Sequence, residues 1–452
     1  MWVFDTIGKR SKIRGIMLAS LALLLPGVAV GSPSGPTMLS QTTWGGANSD
    51  GANGVAVATD GSAYLVGTTD SFTTDSFGQP SAAIFVVRFA PDGSLAFQRI
   101  WNGPTFFGSF QGPAAALGPD GSVYVTGVTS SNGGDAFLLK FDPNGNLIWQ
   151  RTWGGSAFEQ SNAVATGSDG SAYIVGTTSS FGAAANSPFV VKFAADGTLI
   201  WQKVWGDGGE GMAVAVGPDG SIYAAGSVPR PTGIANFDVL ILKLTPDGSL
   251  VWSRTYSAGF VVDPRGGMTV APEGSVYIAG AIQAPQMGFV DIAALILRLS
   301  PSGSLLFDRE WGGKNGDTAA GVAVGPDGTV YVAGTSASFG AGIDDAFVLH
   351  LLPTGKAADA ATWGGTGIDN GVGVGVAGDG TIALAAVASS PPYSFLRAPT
   401  KTSMVHGSTA VPGGSLSDAA GTASDRGAVV TTPAGSTTFA GSIDAALVRI
   451  AP

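Results

Sequence analysis

The sequence predicts an all-β fold, a single β-propeller of eight four-stranded blades. Three observations predict it. A Trp-Gly-Gly motif, or a variant of it, returns at Trp44, Trp101, Trp153, Trp205, Tyr256, Trp311, Trp363 and, in worn form, Pro412, at spacings of 57, 52, 52, 51, 55, 52 and 49 residues. Each interval carries the same four strand-like phrases in the same order. The repeat shows no helical periodicity. Four short strands per unit at such a period mark propeller blades, which bury their faces only against their neighbours.

In the second unit the phrases are AAALGPDG, SVYVTG, DAFLLKFDPNG and NLIWQRTWGG. The first, small and apolar, predicts the innermost strand, where blades crowd round the axis. The second and third are rich in Val, Tyr, Phe and Leu, the composition of buried strands. The fourth carries Trp149 and Trp153, an even number of residues apart, so on a strand they share a face. Large flat side chains fit between blades, since each aromatic buries ~150–250 Å². On this reading Trp44, Trp101, Trp149, Trp153, Trp201, Trp205, Trp252, Tyr256, Trp311 and Trp363 dock blade on blade. Turn signals separate the phrases: PDGS at 91–94, 119–122, 218–221 and 246–249, and PEGS at 272–275. Pro presets φ and Gly accepts the positive φ that a tight hairpin requires.

The last unit stops after its third phrase, IDAALVRIAP at 443–452, and TMLSQTTWGG at 37–46 supplies a fourth. The N-terminal strand is therefore expected to complete the last blade and close the ring, which removes exposed edges. The blade count rests on the last units. GVGVGVAGDGTIALAA at 371–386 opens a seventh, SFLRAPTKTSMVHGSTAVPGG at 394–414 reads as its worn second half, and GAVVTTPAGSTTFAGSIDAALVRI gives three strands of an eighth. The second reading is seven blades with 388–425 as an insertion.

The pattern WGG…D…GVAVGPDGTVYVAGTSASF…DDAFVLHL at 311–351 resembles the bacterial SBBP propeller repeat, and the resemblance covers about 37–452. The chain departs from that pattern in repeat count and in the lost aromatics of its last two units. The resemblance implies an exported or cell-surface bacterial protein and brings no catalytic residue with it. A fainter likeness, to eight-bladed quinone-dependent dehydrogenases, rests on NGNLIW. Those enzymes need calcium ligands and often a vicinal disulfide.

The chain has 452 residues, 70 Gly, no Cys and two His, His350 and His406. Without cysteine there are no disulfides, thiolate metal sites or Cys nucleophiles. Two histidines do not make a multi-histidine metal centre. Lys9, Arg10, Lys12 and Arg14 precede an apolar run at 15–30, with small Ala29 and Gly31 following. This predicts a signal peptide at 1–31 and a propeller domain at 32–452, the protein being secreted, periplasmic or on the cell surface. An uncleaved anchor is the second reading, but the run is short for a membrane span and contains Pro26. A net charge of −10 argues against nucleic acid as a partner.

Functional chemistry has three places to sit. The inner-strand phrases, GVAVA, AAALG, NAVAT, MAVAV, GMTVA, GVAVG, GVGVG and GAVVT, carry no charge, which argues against catalysis in the channel. The third phrase carries a basic residue or His in every unit: Arg88, Lys140, Lys192, Lys243, Arg298, His350, Arg397 and Arg449. These read as a positive ring or as structural blade residues, and their periodicity favours the second. Asp50, Asp317, Asp369 and Asp418 follow the Gly-Gly pairs and read as Ca²⁺ ligands or as caps of loop amides, with capping favoured. No cofactor is expected, Ca²⁺ being the one ion considered. The loops between second and third strands, with the blade crossings, form a variable face carrying Phe72, Phe77, Phe106, Phe107, Phe110, Phe158, Phe181, Phe260, Phe289 and Phe339. These aromatics either face a ligand or fold back over the blade tops. The expectation is an exported, monomeric, non-catalytic propeller that binds a protein or polysaccharide through this face. The alternatives are a polysaccharide lyase or hydrolase on the same face, and a structural surface module.

Overall fold

The computed structural model describes residues 35–451, apart from 76, 104–111, 130–132, 183–185, 206–207, 231–236, 258–260, 266, 287–288, 390, 401–408, 412–415, 419–421, 425–428 and 431–442. The signal-peptide segment lies outside them, as do His406 and Pro412. The four phrases become four antiparallel strands. Blade 1 is Asp50–Val57, Ala63–Thr69, Ala83–Phe89 and Leu95–Trp101, from the axis outwards. Blades 2, 3, 4 and 6 repeat this order, beginning at Ala114, Glu159, Glu210 and Asp317. In blade 5 the inner strand is split into Val261–Asp263 and Met268–Val270. Blade 7 takes Asn370–Val376 and Ile382–Ala388, then Asp444–Ala451, and its outer strand is the N-terminal Thr37–Trp44. The N-terminal strand closes the ring as expected, with Trp44 opposite Ala445.

The ring has seven blades, not eight. The segment after Ala388 builds no blade of its own; it runs round the outside. Ser394–Arg397 pairs with Ala361–Gly364 on the outer edge of blade 6. Thr409–Val411 then adds to blade 4, Leu416–Asp418 to blade 3, Thr422–Ser424 to blade 2 and Val429–Val430 to blade 1. The chain re-enters blade 7 at Asp444. The physical reason is composition. This segment has lost the aromatics that fill a blade interface, whereas pairing along a sheet edge asks only for backbone groups. It also covers edges that would otherwise template association. The insertion thus exceeds the 388–425 of the second reading and reaches the start of the last strand.

The blades are joined by aromatic wedges. Trp44, Trp101, Trp153, Trp205, Trp311 and Trp363 are all fully buried. Trp44, Trp153 and Trp311 each lie 4.4 Å from a third-strand phenylalanine of the next blade: Phe85, Phe189 and Phe347. Each indole also needs an acceptor. Three residues before each tryptophan stands a residue of the same outer strand, and it serves the preceding blade. Trp44 donates to Gln98 at 2.9 Å, Trp101 to Gln150 at 3.2 Å, Trp153 to Gln202 at 2.6 Å and Trp363 to Gln41 at 2.9 Å. Tyr256 donates instead to Asp308 at 3.1 Å, and Trp311 to the backbone of Pro399 in the outer segment at 3.0 Å. Trp205 is the exception: its indole N–H is buried without a partner among the described residues, and the register position that elsewhere holds Gln is Ser253. Trp149, Trp201 and Trp252 do a second job, each capping the turn glycine of the next blade, Gly197, Gly248 and Gly303.

These contacts give two expected outcomes in denaturant unfolding. Gln98→Leu strands the Trp44 N–H and should cost ~1–3 kcal/mol. Ser253→Gln offers Trp205 its missing acceptor and should add ~1 kcal/mol. Both should move the midpoint at constant slope.

Candidate functional site

The channel is shaped by a feature the phrases did not reveal. Five of the seven inner strands hold one residue too many for their partners. The register slips at Ala52/Gly54, Ser161/Ala163, Gly211/Ala213, Ala319/Gly321 and Gly371/Gly373. A bulge re-aims the extra residue. Asn53, Asn162, Met212, Ala320 and Val372 are the extra residues here, and Arg265 occupies the break between the two inner-strand pieces of blade 5. All six line one cavity of about 390 Å³.

The polar members of this ring are mostly engaged. Asn162 accepts from Gln160 at 2.8 Å and donates to the Gly211 carbonyl at 2.7 Å. Arg265 lies 2.9 Å from Glu210 and 3.4 Å from Asp263. Burial raises the Asp263 carboxyl, with Arg265 opposing. Asn53 Oδ1 is buried with no partner among the described residues. The uncharged strand phrases therefore end at a charged mouth. Glu210, Asp263 and Arg265 sit just outside the inner-strand phrases MAVAV and GMTVA, in the residues that precede them.

The variable-loop face carries a second concavity, on blade 1. A groove of about 700 Å³ is lined by Asn48, Ser49, Asp70, Asp75, Pro80 and Ser81. The loop beside it is a tight turn. Asp75 accepts from the amides of Phe77 and Gln79 at 2.8 and 2.9 Å, and Gly78 takes φ 75°. That capping holds Phe77 outward at the turn, 86% exposed. Burial and the neighbouring Asp50 raise the Asp70 carboxyl above its ordinary range.

The other aromatics of this face are placed differently. Phe72, Phe181 and Phe339 turn back onto Trp44, Trp153 and Trp311 at 5.2, 5.3 and 5.3 Å. Phe158 is half-buried against Gly134. Phe289 stands on a strand opposite Gln286. Phe106, Phe107, Phe110 and Phe260 lie outside the described residues.

The periodic basic residues are interblade clamps. Arg88, Lys140, Lys192, Lys243 and Arg298 each lie over a second-strand tyrosine: Tyr64, Tyr124, Tyr173, Tyr223 and Tyr277. Each pairs with the acid of its own blade's first turn, from 3.0 Å for Lys140–Asp120 to 4.0 Å for Lys192–Asp169. Arg88, Lys192 and Arg298 also reach a turn carbonyl of the next blade, Pro143, Pro246 and Pro353. His350 stacks on Tyr331, 3.3 Å from Asp359. Arg449 completes the set in blade 7, donating to the carbonyls of Gly61 and Ala90. Arg397 instead lies exposed in the outer segment.

The acids after the Gly-Gly pairs cap loop amides. Asp50 accepts from Gly46 N at 2.6 Å, Asp317 from Gly313 N at 2.8 Å and Asp369 from Gly365 N at 2.7 Å; Glu159 does the same for Gly155 at 2.7 Å. Asp418 is in the outer segment, its backbone opposite Lys203.

Comparison with known proteins adds the following. A family model described as "Domain of unknown function (DUF5122) beta-propeller" matches residues 118–147, from the first turn of blade 2 to its outer strand. No curated protein matches the chain. Among solved structures, a protein of unknown function from Bacteroides caccae is similar at 14% identity and TM-score 0.35, over 55% of this chain and 78% of that one. Puromycin hydrolase is similar at 15% and 0.44, over 77% and 52%, so this chain spans about half of it. An ulvan lyase of polysaccharide lyase family PL25 is similar at 10% and 0.43, over 78% and 95%. The chain is a β-propeller repeat protein.

Proposed function

We propose that this is an exported propeller that binds a neutral polysaccharide through its variable-loop face, without catalysis. The observation that carries this reading is Phe77, held out at 86% exposure beside a groove lined by Asn48, Asp70, Asp75 and Ser81. An exposed aromatic face supports stacking on a sugar ring, while carboxylates and amides bond its hydroxyls. The groove is acidic and the chain carries a net charge of −10, which disfavours an anionic glycan. The basic residues are spent on interblade clamps, which supports the same choice. The order of the four phrases supports a repeat of the SBBP type, and the basic-then-apolar N-terminus supports export.

A second reading has one observation behind it. Asp70 is raised above the ordinary carboxylate range by burial and by Asp50. A carboxyl shifted that way in a groove is suited to donate a proton to a glycosidic oxygen. On this reading the protein is a hydrolase at the same site.

A thermal-shift screen of neutral and acidic polysaccharides tests the first reading. A neutral glycan should raise the melting temperature, and Phe77→Ala should weaken its binding by ~1.5 kcal/mol or more, roughly tenfold. A response confined to acidic glycans, or none at all, overturns it. Incubation with the bound glycan separates the readings. Unchanged chain length supports binding alone, whereas cleavage abolished by Asp70→Asn supports the hydrolase.

A further inference from the structure

We infer that Asp444 and Asp345 are each held as a neutral acid that shares one proton with a carboxylate of the next blade, so that the two junctions flanking blade 7 tighten in acid and loosen in base.

The starting point is the glycine at each crossing. Asp444 begins the third strand of blade 7, and Asp50 begins the inner strand of blade 1. A Cβ added at Gly45 would overlap Asp444 Oδ1 and lie 2.9 Å from Asp50 Oδ2. The space left by the absent side chain is where two carboxyls face each other. The arrangement recurs between blades 6 and 7. There a Cβ at Gly364 would overlap Asp345 Oδ1 and lie 3.1 Å from Asp369 Oδ2. It recurs again between blades 2 and 3, where Gly154 separates Asp135 from Glu159.

The two members of each pair are not alike. The inner-strand acid is saturated with donors. Asp50 accepts from Gly46 N at 2.6 Å, from Ser71 Oγ at 2.7 Å and from the Thr69 hydroxyl. Asp369 accepts from Gly365 N and from Ser389 N, both at 2.7 Å. Such donors favour the charged form. The third-strand acid is the opposite case. Asp444 and Asp345 are each 1% exposed, and Oδ1 of each has no partner among the described residues. A buried oxygen aimed at an anion, without a donor, calls for a hydrogen between them. One proton satisfies the orphaned oxygen and removes the like-charge contact at the same time.

The neighbours agree. Asp444 is pushed up to about 6 by burial and by Asp50. Asp345 is raised by burial, with the Gly342 and Ala341 amides opposing and Asp369 and Asp344 adding to the rise. Tyr393, near both pairs, is raised by burial and by Asp369 and Asp444 and is therefore neutral, and Asp70, beside Asp50, is raised by burial and by that neighbour. A bound cation is the rival occupant. Calcium takes six to eight oxygens, yet no three acidic or histidine side chains converge as a metal cluster among the described residues.

The sign follows from linkage. The folded protein holds the Asp444 proton up to about pH 6, and Asp345 is raised in the same direction, whereas an unfolded aspartate loses its proton near ~3.9. The contribution is whole below the unfolded value and is lost as pH rises through the folded one.

Thermal melts of the full chain between about pH 4 and 8 test this, with Asp444→Asn and Asp345→Asn alongside. The wild-type melting temperature should fall as pH rises from about 4 to about 6 and level off above that. An asparagine amide donates as the protonated acid does, so each variant should show a shallower fall and should melt no lower than wild type at pH 8. A wild-type profile that is flat or rising across this range overturns the inference, as does a variant that melts lower at pH 8. Millimolar calcium that stabilises the wild type but not Asp444→Asn at pH 8 also overturns it, in favour of a cation. Should the variants fail to fold, infrared titration of the wild type decides. A protonated-carboxyl band that persists to about pH 6 supports the shared proton, and its loss by about pH 4.5, in the range of an ordinary aspartate, overturns it.

Discussion

The structure depends on one contact repeated round the ring: an aromatic wedged against the next blade, at four of the seven junctions an indole whose N–H is donated to a glutamine of that blade's outer strand. A blade alone is a thin sheet with two apolar faces and no core. It becomes stable only when both faces are covered, and the tryptophan does most of that covering in one side chain. Its N–H would be a liability at such depth, because an unpaired buried donor costs free energy. The glutamine three residues before the neighbouring tryptophan removes that liability, so one strand both supplies a wedge and serves the wedge behind it. Trp205 shows what happens when the partner is lost: the ring wedge stays buried and the N–H goes unsatisfied. The clamps on the opposite face follow the same economy of position, with Lys or Arg bridging its own blade's turn acid and the next blade's turn carbonyl.

Much of this was legible in the sequence because the repeat is a repeat of physical roles. Four strand phrases, turn glycines and the split of the closing blade between the two ends all follow from period and composition. The blade count did not. Residues 394–430 keep the alternation of short strand-like phrases, and a reader of phrases counts another unit. What they lack is the wedge, and pairing along an outer edge does not require one. Phrase counting measures strand propensity, whereas blade counting requires the aromatics.

The site was less legible, for a different reason. The inner-strand phrases are uncharged, but the strands run further than the phrases and begin with Asp50, Glu159, Glu210 and Asp317. A bulge adds a residue without altering the hydrophobic pattern on either side, so the side chain it turns inward is invisible to a pattern of apolar residues. Arg265 interrupts a strand where no other unit has charge, which is why the mouth of the channel was missed. The loop aromatics divided along a simple line. Phe72, Phe181 and Phe339 each directly follow a serine just past the second strand, Ser71, Ser180 and Ser338, and fold back onto the wedge. Phe77 sits beyond that serine, in a longer loop with its own capped turn, and stays in water.

The closing blade imposes an order on assembly. Thr37–Trp44 is among the first parts of the propeller to be synthesised, yet its partner, Asp444–Ala451, is among the last. During synthesis that strand waits unpaired while six blades form downstream, each from residues close together in sequence. The final step joins positions some four hundred residues apart, the slowest kind of contact because the intervening chain must be ordered first. Until then the nascent ring is an open arc with a bare strand edge at one end, the species most exposed to misassociation with another arc of the same kind.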